Sequence, residues 1–244
     1  MGARHLLLES PAMGRRIHLW CYGEVGRPLV VFPSAAGVAH EWQAGGMIDA
    51  LAPLLAQGRM KIYCPETNVS QSWRAQGSLE SRMAQHKAYE RFVLEDLVPF
   101  IRQDCQMPEA TLVATGCSLG AMYSALFALK HPQTFRRALC LSGRYRSSTF
   151  FDGDTNADLY FNDPLAFVPN LSGAALDHVR ENTHLTLVVG RGNHEHGCIP
   201  ETVEMANWLH RKAIPNRLAL WGHDSSHEYH WWRKQAQQYL SQWF

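Results

Sequence analysis

Short apolar runs, each ended by small or polar residues, recur along the chain: PLVVFPS (28–34), MKIYCPE (60–66), ATLVATG (110–116), RALCLSG (137–143), HLTLVVG (184–190) and RLALWGH (217–223). Runs of Val, Leu and Ile without alternation suit parallel strands covered on both faces. Two β-rich segments precede them, HLLLES (5–10) and RIHLWCYG (16–23), and predict an antiparallel N-terminal hairpin. Helical patterns lie between the runs. YERFVLEDLVPFIRQ (89–103) places Phe92, Val93, Leu97, Phe100 and Ile101 on one face, and VEMANWLHRK (203–212) and WWRKQAQQYLSQWF (231–244) read the same way. Strand and helix in alternation predict an α/β fold, a doubly wound and mostly parallel sheet with right-handed crossovers. No repeat, low-complexity tract or Pro/Ser linker interrupts it, so residues 1–244 read as a single domain. The least regular part, 144–183, is rich in aromatics and too long for a plain connection; it is expected to be an insertion lining a pocket.

Composition narrows the function by exclusion. With 18% charged residues and a formal net charge of +1, no surplus of either sign favours nucleic acid or an acidic membrane as partner. No run approaches the roughly 20 apolar residues of a membrane span, the N-terminus lacks the apolar core of a signal peptide, and Leu6 stands where a myristoylation site needs Ser or Thr. The six cysteines (21, 64, 105, 117, 140 and 198) form no C-x-x-C pair, and three sit in or beside strand-like runs. A reduced, cytoplasmic protein is expected.

One stretch carries chemistry. ATLVATG followed by CSLGAMYSALFALKH puts Ser118 on a sharp turn between strand and helix, with Gly116 and Gly120 two residues either side. A nucleophilic serine needs this arrangement, because its strained backbone tolerates only small neighbours and the helix N-terminus favours an oxyanion. The elbow predicts an acid and then a histidine later in the chain. HDSSHEYHWWRKQ offers His223, His227 and His230, and the loop after HLTLVVG, RGNHEHGC, holds one acid, Glu195. Asp224 is the rival acid, although it reads better as a turn former. For the oxyanion, one donor should be the N–H of Leu119; the other should come from Ser34, Ala35 or Ala36 after PLVVF, since Pro33 has none.

G-C-S-L-G (116–120), the late H-E-Y-H-W-W (227–232) and the chain's length together resemble the putative-esterase family of α/β hydrolases, which includes esterase D-type formylglutathione hydrolases, feruloyl esterases and mycolyl transferases. The resemblance covers most of the chain but is specific only at 114–122, 190–195 and 227–232. It implies an α/β-hydrolase fold without a large cap domain and places His227 as the base, with Trp232 as the trailing tryptophan of the motif. Tyr229 stands where tryptophan is commoner. Many relatives have an acid where this chain has Asn193; a subgroup with G-x-G-x-x-E matches Gly190–Glu195, which makes Glu195 the acid. The expected activity is serine-dependent hydrolysis of a small or medium carboxylic ester through an acyl-enzyme. An acyltransferase with the same triad, or a non-catalytic binding protein on the same fold, are the alternatives.

Trp42, Trp73, Tyr145 and Trp231 are candidate substrate-binding aromatics, with Phe150 and Tyr160 behind them. His194-Glu195-His196 and the 223–230 cluster could suggest a metallohydrolase, but neither is H-E-x-x-H, so no metal and no cofactor are expected. The expected partner is a small-molecule ester, with self-association left open.

Overall fold

The computed structural model describes residues 2–244. Its strands are β1 (Ala3–Ser10), β2 (Arg15–Tyr22), β3 (Arg27–Phe32), β4 (Met60–Pro65), β5 (Leu112–Cys117), β6 (Phe135–Leu141), β7 (His184–Val189) and β8 (Asn216–Leu220). They form one sheet in the order β1-β2-β4-β3-β5-β6-β7-β8. The N-terminal hairpin is antiparallel, β2 joins β4 antiparallel, and all later pairings are parallel. Every apolar run of the sequence is a strand. This is the α/β-hydrolase architecture expected from the elbow and the late histidine.

The runs lack alternation because both sheet faces are covered. Along β3, Leu29 and Val31 join one core with Trp42, Ile62, Val113 and Leu139. Val30 and Phe32 join the other with Tyr63, Ala114 and Tyr123. Burying each such side chain contributes about 1.5–3 kcal/mol, so the central strands are the least tolerant of polar change. β8, at the sheet edge, stays half-exposed.

The helix anticipated at 89–103 begins well before Tyr89. Leu79–Arg91 continues through Phe92–Leu97, wound as a π-helix, into Val98–Asp104. The Ser78 hydroxyl caps its start by accepting from the Ser81 N–H at 3.3 Å. Its first turns bury only Leu79, Met83, His86 and Tyr89, too sparse a stripe to read from the sequence. Pro99 lacks an N–H and its ring crowds the carbonyl four residues earlier; the wider winding just before it relieves that conflict. Segment 144–183 is less irregular than its sequence suggests. It holds the short helical pieces Ser147–Phe150, Ala157–Tyr160 and Pro164–Phe167, then the helix Gly173–Asn182.

Sheet order places the site. The chain leaves β3 for β4 on one side and later reaches β5 on the other, so a crevice opens at the carboxyl ends of β3 and β5. Among the described residues no helix is long and apolar enough to cross a membrane.

Candidate active site

Ser118 follows directly on β5 with φ 57° and ψ −117°, a conformation that side-chain-bearing residues rarely adopt. Such strain costs about 1–3 kcal/mol and persists only where the surroundings enforce it. The Ser118 N–H donates to the Leu141 carbonyl at 2.8 Å, tying the turn to β6. The flanking glycines are steric necessities: a Cβ on Gly116 would lie 2.5 Å from the Phe32 carbonyl oxygen, and one on Gly120 would lie 2.1 Å from it. The helix Leu119–Lys130, buried along nearly its whole length, starts immediately after Ser118. Cys117 points into the opposite core and is fully buried, away from the serine.

Glu195 and His227 meet although 32 residues separate them: Glu195 Oε2 lies 3.3 Å from His227 Nδ1. Glu195 is fully buried, and its other oxygen, Oε1, accepts from the Ser142 hydroxyl at 2.5 Å. Ser142 in turn accepts from Trp232 Nε1 at 2.9 Å. The trailing tryptophan thus fixes the hydroxyl that fixes the acid. The same indole meets the His227 ring edge-on at 4.9 Å. The His227 N–H donates to the Asn193 carbonyl at 2.9 Å, so Asn193 helps place the histidine through its backbone. The Gly-x-Gly of the acid loop has a spatial cause, since a Cβ on Gly190 would fall 1.9 Å from the Ser225 carbonyl oxygen. That close approach brings the histidine loop onto the acid loop. Asp224, His223 and His230 are all exposed and outside this constellation. Among the described residues His227 makes no hydrogen bond to Ser118 Oγ; such a bond often tightens only with substrate bound.

The loop after β3 corrects one expectation. The Ser34 N–H already donates to both oxygens of the Glu41 carboxyl, at 3.0 and 3.1 Å, and the Ser34 hydroxyl donates to Oε2 at 3.0 Å. Ser34 therefore has no N–H to offer an oxyanion. Tyr229 completes this buried link by donating its hydroxyl to Glu41 Oε1 at 2.6 Å. Burial, and then the neighbouring Glu41, push the Tyr229 hydroxyl pKa well above its usual value, which keeps it a donor. Among the described residues the Ala35 N–H has no partner, while the Ala35 carbonyl accepts from Arg74 at 3.3 Å. Leu119 is the first residue of its helix, where an N–H has no carbonyl within the helix to bond.

The aromatic candidates need a second correction. Trp42 and Trp73 are 1% exposed and Tyr145 is 0% exposed, so none presents a surface to a ligand. Trp42 fills the core under the Ser34 loop, Trp73 donates to the Tyr123 hydroxyl at 2.9 Å, and Tyr145 packs under Gly143. Large apolar rings near a site are drawn into its supporting core first. Trp231 stays half-buried, edge-on to Trp221 with Lys234 over its face. Ser142 and Glu41 were not singled out in the sequence, because a lone serine in CLSG and a lone acid before Trp42 carry no local signature. Cys198, likewise unremarked as a site residue, lies 3.8 Å from His227 Nδ1; burial pushes its thiol pKa up to about 12, so it is no rival nucleophile.

Comparison with known proteins bears on the family and the fold. The model of the family described as "Putative esterase" matches residues 10–242. Compared with curated proteins by sequence, the chain has no match. Among solved structures it is similar to an S-formylglutathione hydrolase (FrmB) from Staphylococcus aureus, with 15% identity, a TM-score of 0.74 and coverage of 99% of this chain and 95% of that one. A ferulic acid esterase gives 14% identity and a TM-score of 0.73 over 98% and 96% of the two chains. FphF, a fluorophosphonate-binding serine hydrolase of Staphylococcus aureus, gives 16% and 0.70 over 99% and 97%. At these identities the structures speak for the fold, and the family match speaks for the class of enzyme. The chain belongs to the "Putative esterase" family of α/β hydrolases and is a carboxylic ester hydrolase.

Proposed function

We propose that the chain hydrolyses small or medium carboxylic esters through an acyl-enzyme formed on Ser118. The observation that carries this reading is a strained serine on an elbow in the same molecule as a fully buried Glu195 bonded to the partly exposed His227. His227 takes the proton of Ser118 as the oxygen attacks the ester carbonyl, and Glu195 holds the ring with its proton on Nδ1. The N–H groups of Leu119 and Ala35 receive the developing oxyanion, because the Ser34 N–H is committed to Glu41. His227 then gives its proton to the leaving alcohol, activates a water, and the acyl group is released. In this reading the segment 144–183 supplies one wall of the substrate site, and Phe150, Tyr160 and Trp231, all half-buried, are the aromatics left to meet substrate. All six cysteines are unpaired, in keeping with a reducing cytoplasm.

A fluorophosphonate probe tests the nucleophile. An activated serine attacks the phosphorus as it would a carbonyl, so the protein should be labelled once, at Ser118. Stoichiometric labelling that persists in Ser118→Ala would refute the assignment.

A further inference from the structure

Among the described residues one group of three His, Cys, Asp or Glu side chains brings its donor atoms together: Glu195, Cys198 and His227, all within 4.8 Å of one another. Two of the separations are 3.3 Å (Glu195 Oε2 to His227 Nδ1) and 3.8 Å (Cys198 Sγ to His227 Nδ1). Zinc binds sulfur at about 2.3 Å and nitrogen or oxygen at about 2.0–2.2 Å, so neighbouring donors of a tetrahedral site stand roughly 3.3–3.6 Å apart. Those two separations already approach that spacing, and the third, between Glu195 and Cys198, is no more than 4.8 Å. The mechanism uses two of them and leaves the thiol without a role. Cysteine, histidine and carboxyl donors together suit a thiophilic divalent cation, and three protein ligands leave a fourth position for water.

We infer that Glu195, Cys198 and His227 form an inhibitory binding site for zinc or a similarly thiophilic divalent cation. The cation replaces the proton on Cys198 Sγ, which goes to solvent, and takes the lone pair of His227 Nδ1. The ring proton must then reside on Nε2, the nitrogen that otherwise accepts the proton of Ser118. Glu195 is withdrawn from the imidazole at the same time. The triad is switched off by its tautomer, with no change of oxidation state, and a chelator reverses it. The cation enters past the partly exposed His227 ring, whose side chain is 19% exposed, whereas that of Glu195 is fully buried. The inhibitory consequence rests on the triad reading above; the binding itself does not.

The two parts are tested separately. Cadmium is titrated into the protein while the ultraviolet thiolate-to-metal charge-transfer absorption is recorded. Wild type should bind one cadmium with that absorption, and so should Ser118→Ala, which lacks the nucleophile, and Cys105→Ser, which lacks the half-buried cysteine elsewhere. Cys198→Ser and Cys198→Ala should show none. In parallel, zinc should inhibit ester hydrolysis by wild type and EDTA should restore it, while Cys198→Ser, active without zinc, should need about tenfold more zinc or more for half-inhibition. Absorption that persists in both Cys198 variants, or its absence from wild type, overturns the site. Equal zinc sensitivity of wild type and Cys198→Ser overturns the inhibitory mechanism even if cadmium binds.

Discussion

Glu195→Gln is the substitution on which the proposed triad makes its most specific demand. The amide keeps the shape of the acid but has one oxygen and one NH₂ to divide between two neighbours. The Ser142 hydroxyl, already accepting from Trp232, must donate, and Glu195 Oε1 is its acceptor at 2.5 Å. In the variant the glutamine oxygen is therefore held by Ser142, and its NH₂ is turned toward His227 Nδ1. The opposite rotamer would leave the buried Ser142 hydroxyl without an acceptor, at a cost of about 1–3 kcal/mol. The ring is thereby biased toward the tautomer with its proton on Nε2, which cannot accept from Ser118. Lost stabilisation of the imidazolium adds to this, so kcat should fall by roughly 10²–10⁴, about 3–5 kcal/mol in the barrier, with KM little changed. Ser142 then supplies a control of sign. In the otherwise wild-type enzyme Ser142→Ala removes a bond to the acid and should lower kcat by about tenfold or more. On the Glu195→Gln background it frees the amide to turn, so it should cost less or partly restore activity. The assay is steady-state hydrolysis of a chromogenic ester by the four proteins, with circular dichroism to confirm folding. A Glu195→Gln enzyme within about threefold of wild type, or equal costs of Ser142→Ala on both backgrounds, would refute the reasoning.

Tyr229→Phe removes the hydroxyl that bonds Glu41 at 2.6 Å and should destabilise by about 1.5–3 kcal/mol, a Tm drop of roughly 3–12 °C. Because Glu41 also anchors the loop bearing Ala35, kcat should drop as well; a normal Tm and normal kcat would show that the link holds nothing in place. His86 is buried beside Trp73 and bonded to Asn162, and burial, followed by the Lys130 charge, lowers its pKa from 6.5 to about 4. The unfolded chain takes up that proton below about pH 6.5 while the folded one does not until about pH 4. Stability should therefore be full above pH 6.5 and fall by about 3 kcal/mol on the way to pH 4. Urea unfolding of His86→Gln should show a flatter decline across that window, and an unchanged slope would argue against a neutral buried His86. Asn193→Ala and Asp224→Asn should each leave kcat within a few-fold, since the first acts through its carbonyl and the second is exposed; a loss matching that of Glu195→Gln in either would reassign the acid.

Much of the architecture was written locally in the chain. Runs such as PLVVF and ATLVATG needed no partner to declare themselves buried strands, because burial on both faces removes polar alternation. Gly116, Ser118 and Gly120 revealed the elbow for a similar reason: its steric demands fall on residues two apart. The elbow carried the expectation of an acid and then a histidine, and the loop after β7 offers one acid, Glu195. What lay beyond local reading was which groups the fold brings face to face. Ser142 reaches Glu195 across 53 residues, Trp232 reaches Ser142 across 90, and Tyr229 reaches Glu41 across 188. No periodicity spans such gaps, so the occupied Ser34 N–H could not be told from the free one of Ala35. Trp42, Trp73 and Tyr145 were legible as aromatics near the site but not as core, since an isolated ring carries the same composition in either place. Hydrophobic pattern reports how deeply a segment is buried; hydrogen bonds depend on which atoms share that interior, and only the packed tertiary structure decides it.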